Sequence, residues 1–527
     1  MYQWSLSEVA VGIISLGVLG LIQFYYKRGA ATKLLPFPPG PKGLPIVGVL
    51  DIPTEKPWLV YDAWSKEYGD MFYFKSFGTP FLILSSVKRV RDLLEQRSAK
   101  YSSRPRMVML TELMGWAYNT ALMPYGPWWR RHRRALHESF HSNMIVKYHP
   151  ALLREARIFL QNLLSTPEKL QSLIRYRFGA AVLDVAYGIN VLPVDDPYLA
   201  VSEEAVEGFL KAANPGTFLV DMIPAMKYIP SWFPGAIFQR FASEQRRIVA
   251  LSQYMPFNFV KEGLANGTAK PSIASTMMQA LSDNMSPSLR DEEESVIREM
   301  CGVAFNAGVD TASAALQIFF LAMAVYPEAQ KKAQAEIDAV VGPGRLPNFD
   351  DRASLHYVNA IVKEILRWFP VGPLGLPHVS TEDDVYEGYY IPKGTLVFGN
   401  MWSILRDPEM YPDPDEFRPE RFLKEGKFSM DGILDPHTIA FGFGRRICPG
   451  RFLADEWLYI SIASVLSTYN ILPPLDEHGH PSEVTAGVTG QALLSPICKR
   501  YMIKTRSKVA EELVHVAGDY MYGVDNN

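Results

Sequence analysis

Cys448 stands in the stretch Phe441-Gly442-Phe443-Gly444-Arg445-Arg446-Ile447-Cys448-Pro449-Gly450, ahead of a helix-forming run over 451–466. Glycines permit a strained loop whose backbone N–H groups turn toward one sulfur. The positive end of the following helix favours the thiolate. A thiolate held this way is a good axial ligand for haem iron. A lone Cys-Pro-Gly would more simply be a free cysteine beside a helix start, so the rest of the chain has to decide.

Three further constellations bear on that choice. Ala307-Gly308-Val309-Asp310-Thr311 interrupts an apolar run. Glycine, an acid and a hydroxyl are costly inside a buried helix unless they have a use. Thr311 has a plain reading, bonding back to the carbonyl four residues earlier and bending the helix. Both readings can hold, with a local opening at Ala307 and Gly308 into which Thr311 points. Trp129 and Arg133 lie four apart on a basic helix, where an aromatic ring and a cation can meet one buried acid group. Glu364 and Arg367 lie three apart and can be joined by Arg421 in a buried fork, a structural network rather than a catalytic one.

The elements that must position these residues are mainly helical. The longest helix is predicted over 291–325, opened by acids at 291–294 and roughly 50 Å long. Further helices are predicted from 128, from Pro327 to about Gly342, over 355–369 and over 451–466. Short strands are expected at 71–74 and 81–84 around a Gly78-Thr79-Pro80 turn, and again at 389–391 and 395–398. Between 193 and 235 the chain is rich in proline, glycine and aromatics, which suits a lid or a membrane-dipping loop. The chain has 527 residues, 48% hydrophobic, without an internal Ser/Gly linker, so one large body over 46–527 is expected, with a loose tail after about 507. A net charge of −3 argues against a nucleic-acid partner. The three cysteines have neither a disulfide framework nor zinc spacing, which suits a reducing compartment.

At the N-terminus, residues 9–26 form 18 residues without a charge, about the minimum for a transmembrane helix. Lys27, Arg28 and Lys33 follow, so the positive-inside rule leaves the body in the cytoplasm. Residues 1–33 read as an anchor, since the basic leader of a cleaved signal peptide is missing. The proline-rich stretch 34–45 reads as a stiff hinge. The sequons at Asn266 and Asn284 are expected to stay unused on a cytoplasmic body.

With these motifs in order, the chain resembles a eukaryotic, membrane-anchored cytochrome P-450, a haem-thiolate monooxygenase, from the anchor to about residue 505. Five motifs carry the resemblance: Trp129-x-x-x-Arg133, Ala307-Gly308-x-Asp310-Thr311, Glu364-x-x-Arg367, Pro419-Glu420-Arg421-Phe422, and Phe441-x-x-Gly444-x-Arg446-x-Cys448-x-Gly450. Looser similarity around Pro215 and 231–235 points to fungal secondary-metabolite members. The resemblance implies a mainly α fold with a smaller β-rich region, holding haem b. Cys448 would be the proximal ligand, with Phe441 packed beside it. Trp129, Arg133, His378 and Arg446 would bind the haem propionates, and Glu364, Arg367 and Arg421 would lock the core. Asp310 and Thr311 would relay protons on the oxygen side.

No flavin or nicotinamide fingerprint is present, so electrons are expected from NADPH through NADPH-cytochrome P-450 reductase, with cytochrome b5 as a further donor. Arg130, Arg131, Arg134 and Arg445 would form the cationic dock. The substrate is expected to meet Met107, Tyr118, Phe209, Phe218, Val303, Ala307, Val371, Leu374 and Val488. That lining suits a small hydrophobic terpenoid, aromatic polyketide or indole. The expected localisation is single-pass in the endoplasmic reticulum membrane. Two other classes stay open: a haem-thiolate isomerase or dehydratase without external electrons, and a non-catalytic haem-binding protein. Neither has a use for the Asp310-Thr311 pair.

Overall fold

The computed structural model describes residues 35–524, without 46, 51, 214–216 and 491. The expected membrane helix over 9–26 therefore lies outside the described residues. Helices dominate: α1 Pro57–Tyr68, α2 Pro127–Phe140, α3 His149–Ser165, α4 Leu170–Tyr187, α5 Pro197–Ala213, α6 Ile237–Asn266, α7 Pro287–Val325, α8 Pro327–Val340, α9 His356–Trp368, α10 Arg451–Thr468 and α11 Lys508–Val524.

The long helix α7 starts ahead of the predicted position. Ser286 Oγ accepts the Leu289 N–H at 3.3 Å and Pro287 fills the first turn, a cap and proline pair that extends the helix beyond its acids. Most side chains from Val296 to Ala324 are buried in one large core shared with α3, α4, α9 and α10. Among the described residues α7 is the one helix long and apolar enough to cross a membrane, but it lies largely buried inside the protein. Its apolar character serves the core.

The largest sheet has four strands: β1 Met71–Ser76, β2 Thr79–Leu84, β3 His378–Val379 and β4 Leu396–Gly399, in the order β1-β2-β4-β3. β1 and β2 pair antiparallel, with Met71 opposite Leu84 and Ser76 opposite Thr79. The turn is Phe77-Gly78, both with positive φ (46° and 79°), rather than Gly78-Thr79-Pro80. Positive φ at both centres is the type I′ hairpin turn, a conformation that Pro80 cannot adopt. β2 pairs parallel to β4, which brings His378 on β3 into the sheet.

The proline-rich hinge is fastened to this region. Tyr73 N–H donates to Pro39 O and Tyr390 N–H to Pro36 O, both at 2.8 Å, and Phe37 stacks on Tyr73 at 4.9 Å. A Cβ on Gly40 would lie 2.0 Å from Tyr73 O, so only glycine allows this approach. Two expectations change. The tail after 507 is α11, packed on α3 with Val514 fully buried. Within 193–235, Pro197–Ala213 form the regular helix α5, and the part from Leu219 on contains the short turns Leu219–Asp221 and Pro224–Tyr228.

Candidate active site

The cysteine loop closes on itself before α10 begins. Cys448 N–H donates to Phe441 O at 2.8 Å, and Gly444 to Arg446 makes one tight turn. Gly444 has φ +55°, and a Cβ there would lie 2.1 Å from Leu94 O. The glycine is thus required twice, by conformation and by contact. Arg451, the first residue of α10, donates from Nη1 to Cys448 O at 3.0 Å. Cys448 is half-buried. Burial pushes its thiol up, while the N–H groups of Gly450 and Arg451 and the charges of Arg133 and Arg451 pull it down.

Several cations gather near this loop. Arg446 spends its fork on backbone carbonyls: Nε on Ser102 O (2.7 Å), Nη1 on Thr120 O (2.9 Å) and Nη2 on Met123 O (2.7 Å). It also lies 4.3 Å over the Trp129 ring, whose Nε1–H donates to Thr120 O at 3.1 Å. His378 Nδ1 lies 2.7 Å from Tyr101 O, so Nδ1 carries the proton and Nε2 is left open. Arg133 has no hydrogen-bond or ion-pair partner among the described residues.

Arg104, which sequence reasoning missed, donates to Ala121 O (2.8 Å), Leu376 O (2.7 Å) and Pro377 O (2.8 Å). Burial and the neighbouring Arg446 push Arg104 down to about 9. Burial and Arg133 do the same to Arg446. His378 is held well below the usual imidazole range by burial, Arg104 and Arg446. No carboxylate enters the surroundings of these four groups among the described residues. Buried like charges in this arrangement call for an anion.

Glu364, Arg367 and Arg421 are joined by hydrogen bonds. Arg367 donates from Nε to Glu364 Oε2 at 2.7 Å and from Nη2 to Oε1 at 2.8 Å. Arg421 Nε joins Oε1 at 3.4 Å. Glu364 and Arg367 are fully buried.

On α7, Asp310 and Thr311 turn to different partners. Ala307 and Thr311 are exposed in the middle of the mostly buried stretch from Val296 to Ala324, so this turn is accessible. Thr311 Oγ1–H is shared by Ala307 O (3.1 Å) and Gly308 O (3.2 Å), the local back-bond. Asp310 instead pairs with Arg175 on α4, Nε to Oδ1 at 2.8 Å, and Arg175 also pairs with Glu203 on α5. Burial raises the Asp310 carboxyl, Arg175 lowers it, and Glu203 raises it again. Nothing in the sequence signals Arg175, which comes from a distant helix.

Apart from Ala307, the expected substrate residues fall into two groups. Met107, Tyr118, Phe209, Phe218 and Val303 share one apolar cluster between α5, α6 and α7. Val371 and Leu374 pack against the main core with Val488, and Leu494 N–H donates to Val371 O at 2.8 Å. Of the four arginines expected to form a dock, Arg130, Arg134 and Arg445 are exposed. Arg131 is not free: it pairs with Glu292 (2.9 Å) and Glu293 on α7.

A family model for cytochrome P450 matches residues 38–496. With this helical fold, the match means that the chain belongs to the cytochrome P450 family, and the family implies haem. Cytochrome P450 monooxygenase COX2 of Coprinopsis cinerea is 46% identical over 511 residues, 97% of each chain. Cytochrome P450 monooxygenase ple1 of Rhodocybe pseudopiperita is 42% identical over 492 residues, 93% of each chain. Tryptamine 4-monooxygenase of Psilocybe cyanescens is 40% identical over 482 residues, 90% of this chain and 94% of the relative. The protein is an oxidoreductase that incorporates oxygen, a cytochrome P450 monooxygenase.

Proposed function

We propose that this monooxygenase hydroxylates a small hydrophobic molecule of fungal secondary metabolism, a terpenoid, aromatic polyketide or indole. Its electrons come from NADPH through a separate flavoprotein reductase. A relative named for tryptamine supports the indole member of that set.

One observation carries the site assignment: Arg133 next to Cys448, Arg446 next to Arg133, and Arg104 and His378 next to Arg446 form a cationic series without a carboxylate among the described residues. Among the described residues Arg133 lacks a partner and His378 keeps Nε2 open, while Arg104 and Arg446 are depressed by burial and by a neighbouring arginine. Two haem propionates satisfy this set, with Trp129 packed under Arg446. Cys448 is the thiolate ligand, its anion favoured by the N–H groups of Gly450 and Arg451. Phe441 fixes the loop through the Cys448 N–H. Haem, when bound, supplies the activation of dioxygen. Thr311 keeps a hydroxyl proton on the accessible turn of α7, and Asp310, held by Arg175, is the nearby acid.

The reductase dock is centred on exposed Trp128, with Arg130, Arg134 and Arg445 around it. The membrane face lies over 219–237, where Leu219, Ile223, Tyr228, Trp232, Phe233 and Ile237 are all exposed. Large apolar patches of this kind mark lipid or partner contacts. With residues 9–26 as a single-pass anchor, they support residence at the endoplasmic reticulum membrane.

Purified protein should show the thiolate-type carbon monoxide band after reduction, and Cys448→Ala should abolish it. A retained band would mean that another residue ligates the iron. Product should carry label from isotopic dioxygen only with NADPH and reductase present; product formed without reductant would overturn the hydroxylase reading.

A further inference from the structure

The helix α7 carries a second face, beside the accessible one, on which Gly302, Asn306 and Asp310 recur every four residues. At Gly302 the neighbours come close: a Cβ there would lie 3.1 Å from Gln253 Cγ and 3.5 Å from Tyr118 Cε2. One turn on, Asn306 is buried and engages three side chains from three other segments. Its Nδ2 donates to Tyr118 Oη and to Ser252 Oγ, both at 3.1 Å, and its Oδ1 accepts from Ser202 Oγ at 2.8 Å. The amide orientation follows from the partners. Ser252 commits its own proton to Val249 O at 3.0 Å, so its oxygen can only accept from Asn306. That places Nδ2 toward Ser252 and Oδ1 toward the Ser202 hydroxyl.

Tyr118, Ser202 and Ser252 belong to the 116–118 turn, α5 and α6, the segments around the apolar cluster. Tyr118 stacks on Trp116 at 5.7 Å, and Trp116 meets Phe209 edge-on at 5.1 Å. Phe209 stands two turns beyond Ser202 on the same face of α5. Phe209 is therefore tied to Asn306 from both sides, through Tyr118 and Trp116 on one and through Ser202 and α5 on the other.

We propose that Asn306 is the positioning residue that sets how far the α5–α6 roof stands above α7, and thereby the size of substrate admitted. It acts through Tyr118 and Ser202 and does not touch the substrate. Being satisfied by its own neighbours, the amide holds the roof in one position.

The inference rests on the haem reading above, and the test separates the two. Full-length holoenzyme is titrated with imidazole and with a triphenylmethyl-imidazole, read by the haem absorption shift. Asn306→Ala removes all three bonds and should raise the affinity for the bulky azole relative to the small one at least about fivefold, the effect of one net hydrogen bond. Tyr118→Phe should move the ratio in the same direction by less. A general loss of stability would lower both affinities and leave their ratio alone. A ratio within about twofold of the parent in both variants overturns the inference. If the parent shows no azole shift, the haem reading fails instead. Hydrogen exchange over 202–209 then decides: faster in both variants supports the roof latch, and unchanged exchange overturns it.

Discussion

Removing Glu364 should be among the most damaging single changes in this protein, and the structure says why. The Arg367 guanidinium is fully buried and gives two hydrogen bonds to Glu364. It gives three more to backbone: Leu405 O (3.2 Å), Pro414 O (2.7 Å) and Glu416 O (2.8 Å). Glu364 Oε1 also accepts the Arg418 N–H at 2.7 Å. Glu364→Ala strands a buried cation, a change that costs about 3–5 kcal/mol in comparable sites. The double variant Glu364→Leu with Arg367→Met removes the central charge pair but leaves Arg421, the third member of the network, without its carboxylate. The three carbonyls still lose their donors, and the Arg418 N–H loses its acceptor, so the double should remain about 3 kcal/mol or more below the parent, at about 1–3 kcal/mol for each buried group left unsatisfied. Guanidinium denaturation followed by tryptophan fluorescence suits the test, because Trp368 donates to Asp415 O at 2.8 Å in the same loop. A loss under about 1 kcal/mol in Glu364→Ala would refute the stranded-charge argument. A double variant equal to the parent would refute the role of the carbonyl tethers.

The other perturbations act on Asp310 and on the membrane face. Asp310 is raised by burial and by Glu203 and restrained by Arg175, so Arg175→Gln should raise it further and Glu203→Gln should lower it. A raised carboxyl stabilises the fold at acid pH, and that contribution is lost as pH rises through the folded value. Arg175→Gln should therefore move the acid limb of the turnover–pH profile upward, and an unmoved limb would separate Asp310 from proton delivery. For the membrane face, Trp232 is 79% exposed. Brominated lipid should quench its fluorescence in reconstituted full-length protein, and Trp232→Phe should remove that quenched component; equal quenching in the two proteins would refute lipid contact there.

The sequence made legible what depends on short spacing. The cysteine loop, the Glu364 and Arg367 pair and the basic helix each lie within a few residues, and their local geometry follows from helix periodicity and glycine chemistry. The long helix was equally plain, apart from its cap at Ser286. What was hidden depends on contacts between distant segments. Arg175 reaches Asp310 only because α4 lies along α7, and Arg104 joins the cations only because the chain near 121 and 376 folds over it. Asn306 was open to the argument applied to Asp310, as a polar residue in a buried run. The tail failed for another reason: Lys508 and Glu511 look like a solvated stretch, and only the buried Val514 reveals a packed face.

These hidden contacts change how the Asp310-Thr311 motif should be understood. Adjacent helical residues point about 100° apart, so the two cannot face one place. Thr311 shares the accessible face with Ala307, while Asp310 shares the closed face with Gly302 and Asn306. On that closed face, the consecutive residues Ser202 and Glu203 of α5 reach both polar positions, Ser202 directly at Asn306 and Glu203 through Arg175 at Asp310. A displacement of α5 that admits a larger substrate must therefore lengthen the Ser202 bond and change how Arg175 is divided between Glu203 and Asp310. If Glu203 draws away, Arg175 is left to Asp310 and the acid falls; if Arg175 follows Glu203, the acid rises. Roof position and the acidity of Asp310 are then one variable, and Asn306→Ala should shift the acid limb of the pH profile as well as the azole ratio.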